Sequence, residues 1–422
     1  MKERVLSLFR KIYYFKDKIA FYPSIFGFFG CLFAYMMMVL ENYGISKYLI
    51  EFLPELVIND GETARTILAT FIAGLISIMV FSFSMVMILL NQASSNFSPR
   101  LLPGLISNTR HQIILGIYIA TILYCIFILV FIEPTGDKYQ LPGFSVLLSI
   151  ILMVLSLASF IYFIHSISQE IQISNIMSKI YNSAKNNLNI YIEAEKNKDC
   201  EFPNSDDWTV YKSKKSGYIQ DVSSSILAKI ASKEDCKINI ITAKGSFVNK
   251  EQTLFKTEKK LDEDTLDRIY ENFDFSRNEF VEDNYILAFK QLTEVAVKSM
   301  SPGINDPGTA LNAIDYLSEL LLLRVKKEDQ NITFRENKPL VLIDSINFDK
   351  LLYQMMLSLR TYCKHDAILM KKMLDMLQNL LQKCKKENYA TSIKKEINNL
   401  LIDAKQAIKN ERDLEILEKF SS

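Results

Sequence analysis

The chain has 422 residues, 49 Lys and Arg against 48 Asp and Glu, and a formal net charge of +1. Neither the charge balance nor the cysteine spacing supports nucleic-acid binding, since zinc-like Cys pairs and interleaved basic and aromatic residues are missing from the sequence. The near-neutral average conceals two unlike halves, because the long apolar runs precede His165 and most Lys and Glu follow it. That division predicts a membrane domain over residues 1–172 and a cytoplasmic α/β domain over 173–422.

The leading segment carries Lys2, Arg4, Arg10, Lys11, Lys16 and Lys18. Val5, Leu8, Phe9, Ile12 and Phe15 fall near helical spacing, so this segment either lies along the inner membrane interface or serves as a basic topogenic tail. Four apolar stretches come next, Ile19 to Leu40, Ile67 to Leu90, Ile113 to Ile132 and Phe144 to Ile164. Each is long enough to cross a bilayer. The first lacks a small-residue cleavage site and reads as an uncleaved anchor. The loop after the first stretch is acidic, the next holds Arg100 and Arg110 with no acid, and the last short loop has Lys138 as its single cation. This alternation predicts both termini in the cytoplasm.

From Thr66 to Pro99 the sequence runs for 34 residues without a charge. A helix of that length reaches about 50 Å, beyond the ~30 Å hydrocarbon layer. Along it Thr70, Gly74, Ser77, Ser84, Asn91, Ser95 and Ser98 recur three, four or seven residues apart, a stripe interrupted by Phe81 and Ile88. Two readings of the stripe stay open. Small hydroxylated residues are ordinary contacts between membrane helices; alternatively, copies of the stripe line a water-filled path in a homo-oligomer, with Ser77, Ser84, Asn91, Ser95 and Ser98 as pore-lining residues. The absence of charge on the stripe disfavours a proton relay and suits a weakly selective pore. Pro99 and Pro103-Gly104 then turn the chain at the inner surface, where Arg100 either snorkels to headgroups or guards an anion path.

After the fourth stretch, His165 sits at the membrane exit, where it serves as an interfacial anchor or a gate. The fourth helix is expected to continue as an amphipathic stalk, residues 173–198. Three widely spaced histidines and scattered cysteines predict no metal site, no cofactor and plain thiols. Short β-prone runs at Trp208 to Lys212, Cys236 to Thr242 and Thr253 to Lys256, punctuated by Gly217 and Gly245, predict a small sheet or barrel with a helical insert near Ser223 to Ala231. Helices are expected at Asp262 to Asn272, Tyr285 to Met300 and Thr309 to Lys327. A strand pair around Ile332 to Ile343 precedes a long C-terminal helical pair over 348–420, formed by Phe348 to Lys386 and Thr391 to Phe420.

The sharpest motif is Ser301-Pro302-Gly303-Ile304-Asn305-Asp306-Pro307-Gly308-Thr309-Ala310. Pro302 stops one helix, Gly303 suits a positive φ, Asp306 is an N-cap and Pro307 fits the first helical position. The motif is a structural joint or, at the helix N-terminus, an anion site.

With Ala93 to Leu102, Leu123-Tyr124-Cys125, Ile164-His165, Ile171-Gln172 and Ser216 to Gln220, this motif resembles the uncharacterised bacterial integral membrane family called domain of unknown function 2254. Gly308 and Asn284 depart from the bulky and acidic residues usual there. The resemblance implies a multi-pass membrane topology and a bacterial inner-membrane setting, and no catalytic residues. The residues themselves offer no nucleophile–base pairing or phosphate-binding loop, so no enzyme is expected. The reading is a homo-oligomeric, channel-like membrane protein in contact with lipid, with a non-conducting sensor or scaffold as its alternative.

Overall fold

The structure is a computed structural model that describes residues 20–46, 48, 58, 60–96, 109–132, 142–170, 172–195, 202–277, 284–336 and 338–421. It divides into two compact units, with the boundary between Gln172 and Ile173.

Four helices of the first unit are long and apolar enough to cross a membrane: α1 (Phe21–Asn42), α2 (Gly61–Asn96), α3 (Thr109–Phe131) and α4 (Gly143–Glu170). They coincide with the four expected stretches. In lipid, apolar side chains gain nothing by leaving the bilayer for one another, so close packing through small residues holds such helices together. The α1–α3 contact obeys that rule. A Cβ built on Gly30 would lie 2.7 Å from both Cα and O of Ala120, and one on Gly27 would lie 3.1 Å from Ile119 Cγ2. The α3–α4 contact instead uses hydroxyls: Ser145, Ser149 and Ser156 form a buried row on α4. Tyr124 donates its hydroxyl to the Ser145 carbonyl at 3.0 Å, and Thr121 and Ser156 share a 3.3 Å bond.

At one end of this unit the helix termini are tied together by charge and caps. Asp60 caps α2 by accepting from Thr63 N at 2.8 Å. Arg65 donates to the carbonyl of Ile132, just past α3, at 2.8 Å. Glu41, on the last turn of α1, accepts at Oε1 from both the backbone N–H and the hydroxyl of Ser145, each at 2.8 Å. The Ser46 hydroxyl donates to its other oxygen and accepts from Phe144 N. Thus the carboxylate of one membrane helix satisfies the open N–H groups at the positive end of another.

The second unit begins with α5 (Ile173–Glu195). The expected continuous stalk is corrected here: α4 ends at Glu170, Gln172 N bonds the Gln169 carbonyl three residues back, and a separate helix resumes at Ile173. That shorter-range bond takes the place of the α-helical ladder and ends α4. Residues 196–198 lie outside the described residues. Ile176, Met177, Ile180, Ala184 and Leu188 are buried at helical spacing, on the face that α5 turns to α8 (Tyr285–Ser299) and α9 (Pro307–Arg324).

The next layer consists of two sheets. Strands β1 (Thr209–Lys212), β5 (Thr253–Thr257), β3 (Ile238–Ile240), β8 (Lys338–Ile343) and β7 (Asn331–Arg335) form one, in that order. β4 (Phe247–Val248), β2 (Gly217–Val222) and β6 (Phe273–Ser276) form the other. Every pairing is antiparallel except β3 with β8. Helix α6 (Ser224–Lys233) buries Leu227, Ala228, Ile230 and Ala231 in a core with Ile219, Ile238, Ile240, Phe255 and Val341. The short α7 (Glu263–Tyr270) is capped by Asp262, which accepts from Thr265 N at 2.7 Å.

Beyond the sheets the expected C-terminal pair resolves into four helices: α10 (Phe348–Cys363), α11 (Ala367–Lys383), α12 (Glu387–Ala407) and α13 (Glu411–Glu418). The breaks are local side-chain events. Asp366 accepts from Ile368 N and Leu369 N and starts α11, and Asn410 does the same for α13 through Arg412 N. Arg360 bridges α10 to α12 through Asp403 at 3.0 Å and Glu396 at 3.6 Å. The wholly buried Arg324 donates to Asp329, to the Lys327 carbonyl and to the Ile346 carbonyl, pinning the ends of α9 and the β7–β8 hairpin.

Candidate functional site

Each predicted residue of the stripe that falls within the described part of α2 lies on the helix's outer face. Thr70, Ser77, Ser84 and Asn91 are exposed and Gly74 is half-buried. The interrupting Phe81 and Ile88 are exposed as well, at 51% and 63%. The face that α2 buries in its own unit is a different one, made by Ala64, Leu68, Leu75 and Ser82. The packed polar row of this unit is therefore the one on α4, and the stripe on α2 faces away from it. Phe81 reaches sideways to Phe160 of α4 in an edge-on contact with 6.0 Å between ring centroids.

Hydroxyls on the outer face are satisfied within the helix. Thr66 donates to the Glu62 carbonyl at 2.9 Å, Thr70 to Thr66 at 2.7 Å and Ser77 to Ala73 at 2.9 Å. Such back-bonding lets a hydroxyl face lipid, a second helix or water with its proton already engaged. Both lone pairs of each oxygen remain available to accept.

Ser95 lies on the last helical turn, but its side chain is outside the described part, and Ser98 and Arg100 lie outside the described residues. His165 is exposed on α4 and forms a 3.0 Å bond between its Nε2 and Gln169 Nε2, one helical turn on. Sequence reasoning missed the buried polar atoms inside the same unit. Ser82, Gln112 and Tyr118 are at most 2% exposed, and Gln112 Oε1 has no hydrogen-bond partner. Serines, glutamines and tyrosines scattered through apolar spans carry no signal of which way they face.

The proline motif is a joint between α8 and α9. Ile304 N and Asn305 N both bond the Ser301 carbonyl at 3.0 Å, and Asp306 N bonds that of Ser299 at 2.7 Å. Asp306 caps α9 by accepting from Thr309 N at 3.1 Å and from the Thr309 hydroxyl at 2.6 Å, with Pro307 in the first turn. The Thr309 hydroxyl first and its N–H second hold the Asp306 carboxyl below the ordinary carboxylate value of 3.8. One expectation is corrected: the positive φ belongs to Asn305, at 47°, and not to Gly303. Asparagine tolerates that region through its short polar side chain. Pro302 and Gly303 are exposed, and a Cβ at Gly303 would meet nothing within 4 Å.

Burial pushes the Cys236 thiol up to about 11 and the Cys363 thiol up to about 12, so both are poor nucleophiles at neutral pH. Among the described residues, no group of three His, Cys, Asp or Glu side chains is placed to hold a metal ion.

Uncharacterized proteins of Mycobacterium bovis and Mycobacterium tuberculosis are each 24% identical to this chain over 363 residues, covering 83% of it and 70% of the relative. No solved structure matches it. The model of the family described as "Predicted membrane protein (DUF2254)" matches residues 16–379. With its four apolar helices and most of its length inside that match, the chain belongs to this family of predicted membrane proteins.

Proposed function

We propose that the protein is a homo-oligomer of the bacterial inner membrane that passes ions or small solutes along the outer face of α2. Its termini and second unit are cytoplasmic, and the second unit gates the path. The observation that carries this reading is the exposure of Thr70, Ser77, Ser84 and Asn91 within one protomer, since a polar stripe turned outward needs other copies or water beside it. The cation-rich first and third polar segments support the orientation. Catalysis has no part in the proposal.

The non-conducting sensor or scaffold is the second reading, and the back-bonded hydroxyls of Thr66, Thr70 and Ser77 favour it, because they sit in a dry helix contact without loss. Hydration separates the two. In a background without native cysteines, single cysteines at Ser77, Ser84 and Asn91 should react with a membrane-impermeant thiol reagent, while those at Leu75 and Ser82 stay protected. Protection at all five positions in a folded oligomer would overturn the pore and leave the scaffold.

A further inference from the structure

The polar positions on the outer face of α2 keep a strict register. Thr70, Ser77, Ser84 and Asn91 stand seven residues apart, and Gly74, Phe81, Ile88 and Ser95 each follow four residues later. Between Thr70 and Asn91, every exposed polar side chain among the described residues belongs to the first set. Ala73, Ile76, Val80, Phe83 and Met87, exposed beside that ridge, are all apolar. Lipid imposes no such repeat, since an apolar surface of any pattern suits it. A seven-residue repeat is what keeps one ridge of each helix turned to the axis of a left-handed bundle while its flanks face outward.

Phe81 and Ile88 are the places where this ridge is neither small nor polar. Both are more than half exposed, so packing within the protomer does not account for them. At about 1.5 Å of rise per residue, Phe81 stands about 6 Å along the axis from Ser77 and about 4.5 Å from Ser84, and Ile88 stands likewise between Ser84 and Asn91. Each apolar layer thus lies between two layers that offer hydroxyl or amide groups. Phe160 of α4 meets the Phe81 ring edge-on, with 6.0 Å between ring centroids, a contact that ties the ring to the position of α4.

We infer that Phe81 and Ile88 form the hydrophobic gate of the path along α2. Each copy contributes one side chain to each layer, and the two layers divide a ridge that is otherwise small or polar from Thr70 to Ser95. Water entering an apolar layer gives up the hydrogen bonds that Ser77, Ser84 and Asn91 offer on either side. A narrow layer of this kind therefore empties, and a hydrated ion passes only when the side chains swing aside. Through Phe160, α4 is the helix whose shift moves the Phe81 ring. This gate presupposes the pore reading of α2 and supplies its regulation.

Release of a trapped small ion from sealed liposomes holding the full-length protein tests the gate. Phe81→Ser and Ile88→Ser should each speed release several-fold over the native protein, and the double variant should release fastest. Phe83→Ser removes an equal ring from the flank of the ridge and should match the native rate. All three residues are exposed in the protomer, so the oligomer and its Tm should be retained. Native protein that releases the ion faster than protein-free vesicles, with Phe81→Ser and Ile88→Ser no faster, would overturn the gate and leave the pore. Equal acceleration by Phe83→Ser would mark a general loosening and overturn the gate as well. Folded, oligomeric native and variant proteins whose vesicles all stay as tight as protein-free ones would overturn the pore and the gate with it.

Discussion

Replacing Gly30 by Ala should drive α1 and α3 apart. The added Cβ would lie 2.7 Å from Ala120 Cα and O and 3.1 Å from its carbonyl carbon, all backbone atoms that no rotamer change can move. Ordinary contact needs several tenths of an ångström more, and that shift loosens the neighbouring contacts. Overpacking of this kind costs about 1–3 kcal/mol. The Ala side chain returns about 0.5–1 kcal/mol of helix propensity relative to Gly. The net expectation is a loss of about 0–2.5 kcal/mol. Two further glycines calibrate it. At Gly27 the new Cβ meets Ile119 Cγ2 at 3.1 Å and Leu123 Cδ1 at 3.3 Å, side-chain ends that can yield. At Gly74 the nearest atom is Met153 Cε at 3.9 Å, so propensity alone should act. Thermal unfolding in detergent should therefore rank Gly30→Ala least stable, Gly27→Ala intermediate, and Gly74→Ala equal to or above the native chain. A Gly30→Ala variant as stable as Gly74→Ala would refute the close-packing account of α1 and α3.

Asp306→Ala should remove a helix cap and cost about 0.5–2 kcal/mol of stability in calorimetry, whereas Asp306→Asn should be nearly silent. Because the folded-state value of Asp306 is depressed below 3.8, its contribution is complete above that pH and disappears as pH falls through the folded value; the Asn variant should lack this acid-side loss. Glu41→Ala leaves Ser145 N–H and its hydroxyl without their acceptor at the head of α4, a loss of about 1–3 kcal/mol that thermal unfolding would register. Reporter fusions after Lys18, Asn108 and Asp199 should read cytoplasmic and those near Asp60 and Asp137 external; an external reading at Asp199 would invert the proposed orientation.

The four membrane helices were legible because a bilayer imposes one length and one polarity on every span. What the apolar pattern does not encode is the facing of small residues within a span. Ser145, Ser149 and Ser156 recur at helical spacing as Thr70, Ser77 and Ser84 do, yet one row is buried and the other exposed. Gly27, Gly30 and Gly116 carried the closest helix contact without standing out in a glycine-containing apolar run. In the second unit β2 read as punctuation, since Gly217, Gln220 and Asp221 leave no alternating apolar run, and a register shift between Ile219 and Asp221 lets both Ile219 and Val222 be buried. The break at Lys364 to Asp366 lies between two stretches of good helix formers with no Pro or Gly, and its signal was a lone Asp able to cap α11. Asp306 and Pro307 were read correctly as cap and first turn because both roles are set by local geometry. The pairing of β3 with β8 was invisible in sequence, as it brings strands separated by almost a hundred residues side by side.

Flux through the reconstituted protein bears most directly on the proposal for α2. Purified protein in sealed liposomes should release a trapped small ion faster than protein-free vesicles, and a bulky side chain such as Ser84→Trp should suppress release while the oligomer and its Tm are retained. Vesicles that hold folded, oligomeric protein and remain as tight as protein-free ones would contradict the pore and leave the outer face of α2 as a contact surface alone.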